Sequence, residues 1–176
     1  MTRLSRRGAL SLGWAGCMAV PASLLAPGRQ DRIAGAWFDA SRHCSTTFHV
    51  NKGLAGAAAD VIAAARDTGM NPHVLDAFAL AIVAMDGPPA YAVQPPPDLA
   101  DARRNRDRIA RAMTALRRAA PSAGSYLSER DYALADWQTA CWGKHHARLE
   151  AIKVRYDPNG MFVVHHGIGS AGSQGA

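Results

Sequence analysis

The last third of the chain carries the stretch that decides its fold: Cys141-Trp-Gly-Lys-His-His-Ala-Arg-Leu-Glu-Ala-Ile-Lys, then Tyr156-Asp-Pro-Asn-Gly-Met-Phe-Val-Val-His-His. Residues 131–141 and 144–155 are predicted to be helical, with Gly143 between the two helices. The Asp157-Pro-Asn-Gly turn leads into a predicted strand at residues 161–165. This third of the chain is therefore expected to hold two helices, a tight turn and a strand.

Further upstream, the patterns predict two strands and two helices. Residues 46–52 are β-branched and aromatic and stop at Gly53, which indicates a strand. Residues 55–68 form an Ala-rich predicted helix. In residues 75–85 large side chains alternate with alanine, and this period of two favours a buried strand.

Residues 98–119 give the clearest helical pattern, with Asp98 in the position of an N-cap. The arginines of this helix spread over several faces and alternate with Asp101 and Asp107, which indicates a solvated face rather than a basic binding patch. Together these elements predict an α+β fold, an antiparallel sheet covered by helices.

The net charge of +6 is not distributed like that of a nucleic-acid-binding protein. Residues 1–30 hold four arginines and no acidic residue, so the other 146 residues carry only +2. Residues 31–176 therefore lack the strong basic patch that binds a phosphate backbone, and we expect no nucleic-acid partner. The chain also has no apolar run long enough for a stable membrane span.

Residues 1–30 are predicted to be a leader of the twin-arginine type. Ser5-Arg-Arg-Gly-Ala-Leu is similar to the twin-arginine export pattern, and the small residues ending at Ala22 suit cleavage before Ser23. Cys17 within Trp14-Ala-Gly-Cys17 leaves a lipoprotein site open, and a start codon assigned too far upstream is a further alternative. The protein is expected to be exported or periplasmic if the leader is used, and cytoplasmic otherwise.

The cysteine and histidine spacings argue against a metal centre. Cys44 and Cys141 could pair in an oxidising compartment, although two buried thiols are the preferred interpretation. His145 and His146 point about 100° apart on a helix, and the consecutive His165 and His166 face opposite sides of a strand. We therefore predict no metal site.

The pattern Trp142-Gly-x-x-x-x-Arg-Leu-x-x-x-Lys-x-x-Tyr-Asp-Pro-x-x-x-Phe162 resembles the C-terminal segment of berberine-bridge-enzyme-like flavoprotein oxidases of the vanillyl-alcohol-oxidase type. The resemblance covers roughly residues 46–170. It implies that residues 46–122 are part of the substrate domain and that residues 123–170 are the C-terminal segment, which packs on an FAD-binding domain expected outside these 176 residues. Residues 171–176 are predicted to be a disordered tail.

The resemblance also implies a site. Tyr126 of Tyr126-Leu-Ser128 stands where the family has the Tyr of a Tyr-x-Asn motif, whose phenol acts as a base beside the flavin when a neighbour assists it. Gly143, His145 and His146 stand at cofactor-binding positions, the two histidines where the family has Asn and Tyr. A half-buried packing role for Tyr126 remains equally open.

Two functions follow from this resemblance. The first is the C-terminal part of an FAD-dependent oxidoreductase that oxidises alcohol or sugar-type hydroxyls. It is expected to be incomplete alone, either as a truncated chain or as one part of a split protein that a separate flavin-domain polypeptide completes. Its ligands are FAD and a small-molecule substrate. The alternative is a non-catalytic remnant or a small exported binding module that keeps the substrate-domain scaffold and an exposed apolar face.

Overall fold

The computed structural model describes residues 15–50, 54, 56–86 and 98–170. Three strands and six helices lie in this part of the chain. In order they are β1 (Ala15–Pro21), α1 (Gln30–Ser41), β2 (Thr46–Val50), α2 (Ala59–Arg66), α3 (Pro72–Leu75), β3 (Ala77–Ala84), α4 (Leu99–Ala119), α5 (Trp137–Trp142) and α6 (His146–Tyr156). Short 3-10 turns cover Ala22–Leu25, Leu127–Glu129 and Gly143–His145. The predicted α+β fold is confirmed.

The sheet has the order β1-β3-β2, and both pairings are antiparallel. Ala81 at the centre of β3 lies opposite Met18 of β1 and Phe48 of β2. Directly opposed residues of antiparallel strands point to the same face. That face therefore carries Met18, Phe48 and Ala81 side by side.

The hydrophobic core lies between this face and the helices α1 and α4. Met18 and Val20 of β1 are fully buried, and Ile109 and Leu116 of α4 are buried with them. Phe48 stacks on Trp37 of α1, with ring centroids 4.0 Å apart. The helices α1 and α4 cover this face of the sheet, whereas the opposite face borders the candidate site.

β1 lies within residues assigned to the predicted leader. Its free edge is covered by the segment that follows α4: the Ala19 N–H donates to the Gly124 carbonyl at 2.8 Å, and the Ser125 hydroxyl donates to the Cys17 carbonyl at 3.0 Å. Residues 15–21 therefore build the sheet and anchor a later segment. Export and cleavage stay predictions, and the twin-arginine pattern at residues 5–10 lies outside the described residues.

α4 begins where the sequence predicts. The Asp98 carboxylate accepts from the backbone N–H groups of Asp101 and Ala100, at 3.0 and 2.8 Å. These two bonds lower the pKa of Asp98, and they satisfy two of the donors that a helix N-terminus leaves open.

Three boundaries differ from the sequence prediction. Residues 161–165 are not a strand, because the Asp157 carboxylate accepts from the N–H groups of Met161 and Phe162 and holds them in a turn. The helix expected over 131–141 starts only at Trp137, and the helix expected over 55–68 covers Ala59–Arg66. The predicted tail at residues 171–176 lies outside the described residues.

The cysteines are free thiols. Cys44 belongs to the main core, whereas Cys141 lies in a second cluster with Leu134, Trp137 and Ala140. Burial raises the pKa of Cys141 to about 11, so this thiol stays protonated at neutral pH. No described helix combines the length and hydropathy needed to cross a membrane, and the described residues contain no group of three or more metal-ligating side chains.

Candidate functional site

Tyr126 lies where the segment after α4 leaves β1. Its carbonyl accepts from the Cys17 thiol at 3.3 Å, which fixes its backbone to the sheet edge. The side chain is 37% exposed and lines a cavity of about 800 Å³. The phenol therefore lies at an open cavity, and its main chain is attached to β1.

The 800 Å³ cavity, hereafter the apolar cavity, lies against the sheet face opposite α1 and α4. Ala19 and Leu80, which oppose each other in the sheet, line it together with Ile62 of α2 and with Met70 and Val74. All of its described lining residues are apolar except Arg66, Asp76 and Tyr126. A concave site of this volume with few polar groups is typical of small-molecule binding.

Arg66 and Asp76 form a bidentate ion pair, with 3.0 Å between Arg66 Nη1 and Asp76 Oδ2. The guanidinium holds the pKa of Asp76 below its usual range. Both residues also line a second cavity of about 500 Å³. The ion pair therefore stands between the apolar cavity, which Tyr126 lines, and the smaller cavity, which Gly143 lines.

Gly143 has a conformation that fits glycine only. Its φ is +52°, and a Cβ atom would lie 3.0 Å from Asn71 Oδ1. Asn71 is 2% exposed, and its amide donates to the carbonyls of Ala140 and Thr139 at 2.7 and 3.1 Å. In the described residues Gly143 therefore serves the close approach of α5 to Asn71.

His145 and His146 occupy different environments. His145 is buried, and its Nε2 atom is hydrogen-bonded to the Arg66 carbonyl at 3.0 Å, so it joins α2 to the start of α6. His146 contacts Trp137 edge-on, and its Nδ1 atom lies 3.5 Å from Glu150. Its Nε2 atom is buried without a hydrogen-bond partner in the described part of the chain.

A stack of four rings joins the two histidines after α6 to Tyr132 and Trp137, which precede it, and was not predicted. The His165 ring stacks on Tyr132, with ring centroids 3.9 Å apart, and on His166, with centroids 3.7 Å apart. The other side of His166 stacks on Trp137, with centroids 5.2 Å apart. His166 is 5% exposed and has a φ of 56°. Burial, with the neighbouring His165 and Arg130, lowers the pKa of His166 to about 4. The imidazole is therefore neutral at pH 7.

An exposed apolar patch covers the outer side of α6 and the turn after it. Tyr156, Met161 and Phe162 are each more than 70% exposed, and Val154 and Val164 are more than 60% exposed. Large exposed apolar side chains grouped within residues 154–164 are typical of a surface that contacts a partner. These residues are hereafter called the exposed apolar patch.

Comparison with known proteins identifies the segment that carries this site. A family model described as berberine and berberine-like matches residues 125–169. Residues 125–169 are thus similar to this family, and they are hereafter called the berberine-like segment. The match begins at Ser125, beside Tyr126, and includes α5, α6 and the ring stack.

Proteins similar to the berberine-like segment are named as FAD-linked or flavin-dependent enzymes. The FAD-linked oxidoreductase notD' of Aspergillus versicolor is 49% identical over 45 residues, which are 26% of this chain and 7% of that protein. The flavin-dependent oxygenase ucdF of Aspergillus ustus is 48% identical over 50 residues, 28% of this chain and 9% of that protein. The matched stretches thus span less than a tenth of these two relatives.

Solved structures extend the likeness to nearly the whole chain. The VAO-type flavoprotein MtVAO615 from Myceliophthora thermophila C1 matches with a TM-score of 0.70 at 20% identity, over 89% of this chain and 27% of that chain. MtVAO713 from the same organism matches with a TM-score of 0.66, also at 20% identity, over 91% of this chain and 27% of that one. The chain therefore has the fold of a part of a VAO-type flavoprotein.

The structure brings together only some of the predicted site residues, and it adds others. Tyr126 lines the apolar cavity, whereas Gly143 lines the smaller one. Asn71 and the Arg66–Asp76 pair were not predicted as site residues. Asn71-Pro72 begins a helix of one turn, and the Asn71 carboxamide accepts from the His73 N–H at 3.0 Å, so a helix-capping pattern could have drawn attention to Asn71.

Proposed function

We propose that this chain is part of an FAD-dependent oxidoreductase that oxidises a hydroxyl group of a small molecule. The observation that carries the proposal is the position of Tyr126, which begins the berberine-like segment and lines the apolar cavity. The choice of FAD as the cofactor is supported by the relatives, which are named as FAD-linked or flavin-dependent enzymes. We also propose that this chain contributes to binding FAD.

The residues fit a flavin in part. Tyr126 offers a partly exposed phenol at an open cavity. The buried His146 Nε2 has no hydrogen-bond partner among the described residues, but His146 lines neither the apolar cavity nor the smaller one. His145 Nε2 is already bonded to Arg66, and Gly143 serves the contact with Asn71, so these two residues fit less well.

In the proposed reaction, bound FAD supplies the two-electron acceptor for the hydride that leaves the carbinol carbon. Tyr126 takes the hydroxyl proton of the substrate as that hydride leaves, so an alcohol becomes a carbonyl compound. The hydrogen bond from the Cys17 thiol to the Tyr126 carbonyl attaches the main chain of Tyr126 to β1. The apolar walls offer packing surface for the carbon skeleton of the substrate.

A separate flavin-domain polypeptide is proposed to complete the site. The exposed apolar patch supports this, because several of its large side chains are more than 60% exposed and would be buried by a partner. A charge on this patch should weaken the association. Phe162→Glu tests it, and Phe38→Glu is its matched control, since Phe38 is 60% exposed on α1, outside the patch.

The experiment measures retained flavin absorbance on the immobilised full chain. The chain is incubated with FAD alone and with FAD plus extract of its host, and it is then washed. We expect bound flavin with the extract, loss of flavin in Phe162→Glu, and no loss in Phe38→Glu. Tyr126→Phe should keep the flavin and lose substrate-dependent flavin reduction. A folded chain that retains no flavin under either condition would contradict the proposal and favour the non-catalytic alternative.

A further inference from the structure

The turn that follows α6 contains the pair Asn159-Gly160, and both residues are exposed. Gly160 has a φ of +62°, and a Cβ atom added there would meet only Val163 Cγ2, at 3.9 Å. Because glycine has no side chain, nothing on Gly160 itself shields its main-chain nitrogen from the neighbouring Asn159 carboxamide. The pair therefore places an exposed amide group beside an unhindered nitrogen.

An asparagine in this arrangement loses its amide group without an enzyme. The Gly160 nitrogen gives up its proton and attacks Asn159 Cγ. The new N–Cγ bond closes a succinimide ring, the Cγ–Nδ2 bond breaks, and the amide nitrogen leaves as ammonia with that proton. Water then opens the ring at either carbonyl, which leaves aspartate or isoaspartate at residue 159. The net change consumes water and releases ammonia, so no oxidant or cofactor takes part.

The other asparagines of the chain lack one or more of these features. Asn71 is 2% exposed and precedes Pro72, which has no N–H group to supply the nucleophile. Asn105 lies within α4, where the main-chain N–H groups are engaged in helical hydrogen bonds, and arginine follows it. Asn51 precedes lysine and lies outside the described residues. In the whole sequence, only Asn159 is followed by glycine.

The turn at Asp157 holds the Gly160 nitrogen back from this reaction. The Gly160 N–H donates to the Asp157 carbonyl at 3.1 Å. The Asp157 carboxylate accepts from the N–H groups of Met161 and Phe162, at 2.8 and 2.9 Å. The Lys153 ammonium and these N–H groups lower the pKa of Asp157 to about 2, so the carboxylate stays charged at neutral pH. The Gly160 nitrogen attacks only after its hydrogen bond is broken, so the reaction proceeds through local opening of the turn.

We infer that Asn159 is a site of spontaneous deamidation and that the turn at Asp157 sets its rate. The product adds a negative charge beside Met161. Isoaspartate also lengthens the main chain by a methylene group, which moves the N–H groups of Met161 and Phe162 relative to the Asp157 carboxylate. The modification therefore changes both the charge and the shape of the exposed apolar patch. The inference goes beyond the proposed function, and it needs neither a flavin nor a partner.

The test follows deamidation of the full chain in mildly alkaline buffer by mass spectrometry of its peptides, with chromatographic separation of the aspartate and isoaspartate products. Asp157→Ala removes the carboxylate that holds the turn. Asp107→Ala is the matched control, since Asp107 is an exposed aspartate of α4 that pairs with Arg106. Circular dichroism establishes that each variant is folded, and the wild-type chain unfolded in urea gives the rate without the turn.

We expect Asn159 to deamidate in the folded wild type while Asn71 and Asn105 stay intact. Asp157→Ala and urea should each raise the rate at Asn159 by about tenfold or more, because the turn then opens more readily. Asp107→Ala should leave the rate unchanged.

The inference is overturned if the folded wild type deamidates no faster at Asn159 than at Asn105. It is also overturned if a folded Asp157→Ala variant reacts at the wild-type rate, or if unfolding in urea leaves the rate at Asn159 unchanged. The urea measurement decides the role of the turn if Asp157→Ala does not fold.

Discussion

Replacing Asn71 with alanine should weaken the attachment of the berberine-like segment to the rest of the fold and so lower the stability of the protein. The Asn71 side chain accepts from the His73 N–H and donates to the carbonyls of Ala140 and Thr139. It is buried against the Cα atoms of Gly124 and Gly143. One carboxamide thus joins the start of α3, the helix α5 and the segment that carries Tyr126.

The cost follows from these three hydrogen bonds. Loss of a helix cap costs about 1 kcal/mol, and each of the other two bonds contributes a net ~1 kcal/mol. Ala140 keeps a second donor, the Ser125 N–H at 2.8 Å, so its carbonyl is not left unsatisfied. We therefore expect Asn71→Ala to lower the free energy of unfolding by about 3 kcal/mol, or Tm by about 6–12 °C.

Thermal unfolding followed by circular dichroism measures this change. The matched control is Asn105→Ala on α4, where a half-buried asparagine donates only to the Asp101 carboxylate, at 3.2 Å. The control should change the stability by about 0.5 kcal/mol or less, since alanine favours helix. Equal Tm values for Asn71→Ala and Asn105→Ala would refute the role assigned to the carboxamide.

Three further predictions concern β1, His166 and Gly143. A chain that starts at Ser23 lacks β1 and the buried Met18 and Val20, so it should show no cooperative thermal transition; a transition at the full-chain Tm would contradict the placement of β1. The folded pKa of His166 is about 4 against 6.5 ordinarily, so the unfolded chain binds the proton first as pH falls. The free energy of unfolding should therefore drop by about 1–2 kcal/mol as pH falls from 6.5 towards 4. Urea titrations measure this drop, and His166→Asn should make it smaller. An unchanged pH profile in His166→Asn would contradict the role of His166. Gly143→Ala should lower the free energy of unfolding by about 1–3 kcal/mol, measured by thermal unfolding. In the control Gly35→Ala the added Cβ has no atom near it, so this change should be neutral or stabilising. Equal effects of the two substitutions would contradict a strained conformation at Gly143.

The sequence predicted the elements whose patterns are local. β3 was recognised from the alternation of Phe78, Leu80 and Ile82 with alanine, and α4 from its Asp98 cap and apolar spacing. The resemblance located the berberine-like segment and Tyr126, because its motif residues have fixed spacing. The roles of Tyr126, Gly143, His145 and His146 towards a cofactor stay predictions.

Other features depend on distant contacts and could not be found in this way. Residues 15–21 are small and apolar, a composition that suits a leader as well as a strand, and only the pairing with β3 decides between these conformations. Residues 161–165 have strand-like composition, but no neighbouring strand pairs with them, and Asp157 holds their first N–H groups.

The closure of the β1 edge by Gly124 has a consequence for the order of folding. β1 pairs with β3 more than 50 residues later in the chain, and the cover on its other edge arrives about 100 residues after β1. During synthesis this strand is therefore made before either of its partners, and its outer edge stays uncovered until residue 124 has left the ribosome. Long-range pairing of this kind slows folding and exposes the nascent chain to aggregation, so we expect β1 to be the place where a chaperone binds first.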